Sequence, residues 1–303
     1  CSAYRASLFT GKHTSGTGMV INELRINPNQ TCLGHVLTEA GYDTGYIGKW
    51  HLYANQLGHH NEAKNSFVPR GPHRLGFDGY WAAYNFHHDY YDTYYHTESP
   101  EKIFYGDGVF EPDAQTDLAL KFLDRQAGGD APFCLVVSYG TPHDPWVKSN
   151  VPSQFYDMFR DVKFDVPPNY SEEMDPYGDG WSNIDKSPAR IDEWMRNYYA
   201  MTANLDWNVG RILQAVDEAG LAEDTLIVFT SDHGEMFGGH GRMKKNIFYE
   251  EAARIPFVMR WKGRIPAGTV SDACLNTPDI MPTLLGLTGL GERIPESVEG
   301  MDL

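Results

Sequence analysis

Four short polar segments carry the residue types that acid–base or metal chemistry needs. Asp232-His233-Gly234-Glu235 follows the apolar run 226–230. A carboxylate beside an imidazole at a strand end makes a metal corner, and oxygen-rich company favours calcium or magnesium there. The alternative is that Asp232 only caps the next turn. Lys49-Trp50-His51 follows the run 42–47 and offers a cation and a titratable ring, or else a solvated lysine and a surface histidine. Thr141-Pro142-His143-Asp144-Pro145 sets a histidine between two prolines, whose fixed φ would hold the ring stiffly; a structural turn has the same pattern. Cys1-Ser2-Ala3-Tyr4-Arg5 opens a short helix with a cysteine. A helix N-terminus attracts anions and lowers a thiol pKa, and Arg5 lies one turn on along the same face. The alternative is that Cys1 is an accidental cut point.

The elements around these segments predict where they meet. Residues 4–11 read as one short helix ending at Gly11. Residues 31–41 read as a helix capped by Thr31, with Leu33, Val36 and Leu37 as its apolar stripe and Gly41 closing it. Residues 42–47 predict a strand, and 113–126 a helix with Leu118, Leu120, Phe122 and Leu123 on or near its inner face. Residues 133–139 form the unbroken apolar run of a strand buried in a parallel sheet. From 147 to 187 no period holds, which marks a long functional or mobile loop. Residues 190–220 give the longest helix, 226–230 and 255–261 two more strands, and 278–287 a last helix with Pro282 inside it. This alternation predicts an α/β fold with a mostly parallel central sheet covered by helices on both faces. In such sheets ligands bind beyond the carboxyl ends of the strands, and three of the polar segments follow strands there.

The chain has 303 residues and a formal net charge of −16, enough length for one large domain. So acidic a chain has no electrostatic footprint for nucleic acid or an anionic membrane. An anionic substrate would need local cations or a metal. No apolar stretch approaches 18 residues, so none predicts a membrane span. The four cysteines are too widely spaced for a zinc pattern or a disulfide framework, and Cys134 reads as a buried thiol. Residues 80–105 are rich in aromatics and histidines, among them Trp81, Tyr84, Phe86, Tyr90, Tyr91, Tyr94 and Tyr95. They read either as a packed loop or as a platform for a sugar or aryl ring.

Taken together, the segments resemble one family. Cys1-Ser2-Ala3-Tyr4-Arg5 followed by Ala6-Ser7-Leu8-Phe9-Thr10-Gly11 resembles the signature of type I sulfatases, in the alkaline phosphatase superfamily. Gly41-Tyr42-Asp43-Thr44-Gly45-Tyr46-Ile47-Gly48-Lys49-Trp50-His51 resembles the second signature. Ser231-Asp232-His233-Gly234-Glu235-Met236 with His240-Gly241, Lys245 and Tyr249-Glu250-Glu251 resembles a third block; residues 141–146 make a fourth. The resemblance covers nearly the whole chain and is weakest over 147–197.

What the resemblance implies is specific. A formylglycine-generating enzyme would convert Cys1 to formylglycine, whose hydrated aldehyde attacks sulfur and then expels sulfate. His51 would be the base for that collapse. Arg5 and Lys49 would hold the diol. His143 and Lys245 would contact the sulfate and its bridging oxygen, one of them protonating the leaving alcohol. Asp232 and His233, with the modified Cys1, would ligate calcium. Lys245 is preferred to Lys244 because it stands four residues before Tyr249; Lys244 is then a surface charge. The substrate would be a sulfated small molecule or saccharide, with no nucleic acid or membrane partner. The location would be periplasmic or secreted.

The sequence departs from the family in two respects. Ala3 stands where Pro is commoner. Two further metal-ligating aspartates belong to a strand expected before Cys1. Residues 1–303 are therefore expected to be a single catalytic domain that lacks this strand and most of a C-terminal subdomain, with little activity of its own. A phosphonate or phosphate ester hydrolase of the same superfamily and a catalytically impaired sugar-binding fragment are the competing readings. A thiol-dependent hydrolase would need a His–Cys pairing that no family block supplies.

Overall fold

The structure, a computed structural model, describes residues 1–54, 59 and 61–303. Helix α1 (Ser2–Thr10) begins directly at Cys1 and stops at Gly11, which sits at φ 64, a left-handed position that suits glycine. Helix α2 (Leu33–Glu39) is capped one residue later than expected. Cys32, not Thr31, is its N-cap, and the backbone N–H of Cys32 donates to His35 Nδ1 at 3.1 Å. Thr31 is exposed and makes no such contact among the described residues.

Strand β1 (Asp43–Lys49) is central. It pairs in parallel with β2 (Tyr80–Tyr84) on one side and with β3 (Phe133–Ser138) on the other. Helix α3 (Glu111–Gln126) packs on this sheet through Ala119, Phe122 and Leu123, while Leu118 and Leu120 are half-buried. Two glycines let β1 lie so close to its neighbours. A Cβ on Gly45 would sit 2.9 Å from both Leu135 and Phe122. One on Gly48, at φ 95, would meet the Ser138 carbonyl at 2.2 Å.

The parallel α/β expectation holds for this sheet, but two strands differ from their prediction. Strand β3 is half-buried along its whole length rather than fully buried, because only its β1 edge is paired among the described residues. Strand β4 (Ile227–Thr230) runs antiparallel to β5 (Phe257–Arg260), and the two form a separate pair with Phe229 and Val258 exposed. Helix α4 (Pro188–Glu218), the longest at 31 residues, precedes β4, and helix α5 (Thr277–Leu287), which carries Pro282 and an Asn276–Asp279 capping box, follows β5. Residues 147–187 are irregular as expected, apart from the short turns Lys148–Asn150 and Ser153–Asp157.

The main core lies beneath α1, where Phe9, Tyr46, Trp50, Phe77 and Trp81 pack ring against ring at 4.8–6.3 Å. Trp81, Tyr84, Tyr90 and Tyr94 are buried, so these members of the aromatic stretch build the core and offer no exposed platform. A second core under α4 gathers Tyr90, Phe110, Trp146, Met201, Phe237 and Met243. No helix of the described residues is long and apolar enough to cross a membrane.

Candidate active site

Arg5 is the hub of the site. From one turn inside α1 its Nη1 donates to the Lys49 carbonyl at 2.7 Å, to Ser138 Oγ at 2.7 Å and to Tyr46 Oη at 3.3 Å. Its Nη2 meets Asp232 Oδ2 at 3.3 Å. One planar guanidinium therefore ties together the carboxyl ends of β1 and β3 and the residue just past β4, which a lysine point charge could not do. Gly48 makes this possible, since it lets the backbone reach Lys49 directly over Ser138.

Around this hub the expected residues converge. Cys1 Sγ lies 3.0 Å from His233 Nε2 and 3.9 Å from Lys49 Nζ. Lys49 is buried at the end of β1; burial first, then the Arg5 guanidinium, brings its ammonium down to about 7. Asp232 Oδ1 is 3.3 Å from His233 Nε2. Burial alone would raise the Asp232 carboxyl, but the His233 and Arg5 side chains outweigh it and hold it well below the usual range. A buried anion thus sits beside Cys1, stabilised by the surrounding cations.

The histidine tautomers follow from their partners. His233 Nδ1 is 2.9 Å from the Gly234 carbonyl, which only accepts, so Nδ1 carries the hydrogen and Nε2 turns a lone pair towards Cys1 and Asp232. His143 Nδ1 faces the Asp144 carbonyl at 3.1 Å and Asp144 Oδ1 at 3.0 Å, so it too is the donor. Its Nε2 accepts from Lys245 Nζ at 2.5 Å. Burial brings both His143 and His233 down to about 4, neutral at ordinary pH. His51 is buried at φ 54, its Nδ1 has no hydrogen-bond partner among the described residues, and burial followed by the Lys49 charge keeps it well below its ordinary value. A non-glycine residue at such a φ is strained by about 1 kcal/mol or more, a cost that functional sites often carry.

Lys244 is not a surface charge: it is buried, its Nζ is 2.7 Å from Asp144 Oδ1, and it lies over the Trp146 ring at 5.1 Å. It sits at φ 69, so chain direction turns sharply there, and neighbouring Lys245 reaches His143 instead. Asp144 is thus shared by Lys244 and His143.

Several contributors carry no motif that would single them out. Ser138 is simply the last residue of an apolar strand. Tyr90 is fully buried, and its hydroxyl faces the Gly140 carbonyl at 3.0 Å and the His143 carbonyl at 2.9 Å, fastening the turn that carries His143. Its membership of the aromatic stretch was the one available signal.

The donors suit a cation only in part. Asp232 is a buried, ionised carboxylate, as a hard cation needs, and His233 adds one free nitrogen. Ligand atoms of Cys1, His143 and His233 also lie within 4.8 Å of one another. Calcium takes about six to eight oxygens, more than these described residues provide.

An arginine, two lysines, three neutral histidines and a buried carboxylate thus gather about a cysteine at a helix mouth, a set of charges that suits an anionic group. Residues 1–290 match the sulfatase family model. This chain belongs to the sulfatase family. It is similar to an ulvan-active sulfatase of Formosa agariphila, with 36% identity over 307 residues, covering all of this chain and 55% of that protein. It is also similar to an N-acetylglucosamine-6-O-sulfatase of Bacteroides thetaiotaomicron, with 25% identity over 363 residues, covering 99% of this chain and 61% of the relative. The solved structure of a putative sulfatase YidJ from Bacteroides fragilis superposes with a TM-score of 0.84 at 29% identity, over all of this chain and 66% of that one. The chain thus spans roughly three-fifths of the length of these curated relatives. Its parallel sheet with helices on both sides is the sulfatase fold.

Proposed function

We propose that the protein containing this chain hydrolyses sulfate esters, with Cys1 as the precursor of the nucleophile. The observation that carries this is the position of Cys1 Sγ, 3.0 Å from His233 Nε2 and 3.9 Å from Lys49 Nζ, in a buried cluster of cations within a strongly acidic chain. Formylglycine, formed from Cys1, would supply a hydrated aldehyde as nucleophile, and calcium, held by Asp232, His233 and the modified residue, would polarise the sulfuryl oxygens.

The remaining work falls to side chains of this chain. Arg5 and Lys49 neutralise charge at position 1, and Asp232 orients Arg5. Neutral His51 is available as the proton acceptor. His143 and Lys245 divide the leaving-group role. His143 Nε2 is an acceptor, so the proton for the departing alcohol comes from the Lys245 ammonium that His143 holds in place. Catalysis is then mostly positioning and charge stabilisation, since a sulfate monoester is anionic throughout.

A carbohydrate sulfate is the proposed substrate class. The sulfated-sugar names of the relatives and the rings of Phe86 and His88 beside the site support it. A periplasmic or secreted location extends the proposal on the same resemblance. A second reading, a thiol-dependent hydrolase, is favoured by one contact, the Cys1–His233 pairing.

Mass spectrometry of the peptide containing Cys1 separates the two, using the full-length protein co-expressed with a formylglycine-generating enzyme. Loss of the thiol mass in favour of the aldehyde, together with sulfate release, is the expected result. Turnover with an intact thiol supports the second reading. An intact thiol and no sulfate release refute the proposal.

A further inference from the structure

His88 belongs to no motif and no strand, yet its ring lies against the site. It stacks on His143 with centroids 4.1 Å apart and planes 9° apart. Phe86 meets it edge-on at 4.6 Å and in turn covers His51 at 4.4 Å, with Lys49 Nζ 5.0 Å from the Phe86 ring. His143, His88, Phe86 and His51 therefore form a continuous row of rings between the two candidate proton-handling histidines. His88 is half-buried, so part of the ring remains open. Neither of its nitrogens makes a hydrogen bond among the described residues, and Nδ1 is buried.

An imidazole with no partner in a polar pocket is uncommon, because buried polar atoms are nearly always satisfied by protein, water or ligand. Stacking alone would be served as well by phenylalanine. We propose that His88 contacts the substrate, hydrogen-bonding a hydroxyl next to the sulfate ester and so selecting for a sulfated sugar ring. This deepens the sulfate-ester reading above and rests on it. The electrostatics favour a hydroxyl over a charged group. His88 lies among the cations Lys49 and Lys245 that face the sulfate, and an imidazole offers one donor and one acceptor, as a hydroxyl does.

The test compares His88→Phe with the unaltered full-length protein, after confirming the modification of Cys1. His88→Phe keeps a stacked ring and removes both nitrogens. Two substrates are used: 4-nitrophenyl sulfate, which has no ring hydroxyls, and a sulfated monosaccharide hydrolysed by the unaltered protein. kcat/KM on the saccharide is expected to fall about tenfold more than on the aryl ester, mainly through KM, as loss of one hydrogen bond gives. Deoxy versions of the saccharide give a readout on the unaltered protein that no folding defect can disturb. Removing one hydroxyl next to the ester should cost about as much as His88→Phe, and in the variant it should cost almost nothing further. Equal losses on both substrates, or no sensitivity to any deoxy position, would overturn the assignment while leaving sulfate-ester hydrolysis intact. Failure of the unaltered protein on every sulfate ester defeats the parent reading and this one with it.

Discussion

Glu111 opens α3 behind the site and is fully buried. Its Oε1 accepts from Tyr84 Oη at 2.8 Å; its Oε2 makes no hydrogen bond among the described residues and stands 3.6 Å from His87 Nε2. Burial pushes its pKa from 4.5 up to about 8, and the Tyr84 and Gln115 contacts and the Lys49 charge offset only part of this. The folded protein therefore keeps the proton over a range in which the unfolded chain releases it. Because the folded value is the higher one, this contribution to stability is complete below about pH 4.5 and is lost as pH rises through about 8. The gap is 8 − 4.5 = 3.5 units, so at roughly 1.4 kcal/mol per unit the upper bound is about 5 kcal/mol. Water penetration and local relaxation reduce it to about 2 kcal/mol, or about 3 °C in Tm for a chain of 303 residues. Glu111→Gln keeps an oxygen for Tyr84 and removes the titration. Melting curves from pH 5 to 9 should show the unaltered protein losing that much Tm relative to the variant, with the variant the more stable at pH 9. Parallel curves across the range would refute the burial argument.

Two further substitutions probe how the site is held. Gly48→Ala should destabilise by about 3 kcal/mol or more, because φ 95 disfavours a side chain and the new Cβ would lie 2.2 Å from the Ser138 carbonyl; an unchanged denaturation midpoint would contradict the close packing of β1 on β3. Arg5→Lys keeps the charge but cannot reach the Lys49 carbonyl, Ser138 and Asp232 together. Sulfate release is expected to fall about 100-fold or more, and a loss under threefold would show that only the charge matters.

Much of the fold could be read from short-range patterns. Gly11 ends α1, the apolar run 133–139 becomes the parallel strand Phe133–Ser138, and the pattern 190–220 becomes the long helix Pro188–Glu218, because caps and periodicity act over a few residues. The candidate site residues stand out in the same way, since Lys49 ends one strand and His143 and Asp232 follow two others. The antiparallel pairing of β4 with β5 could not, because nothing within a four-residue strand states its partner's direction.

The sequence by itself therefore determined the family and the main elements, and it singled out the polar segments proposed to carry chemistry. Only the tertiary structure decided how those segments meet. Lys244 and Lys245 are adjacent and alike in type, yet one is buried on Asp144 and the other reaches His143, because a left-handed backbone position turns the chain between their contacts. Trp81 and Tyr84 pack into the interior while Phe86 and His88 stand at the site, although all four share one aromatic run. Hydrophobicity says that such rings should be covered. Whether protein or ligand covers them depends on the neighbours that long-range packing brings, and those neighbours lie tens to hundreds of residues away.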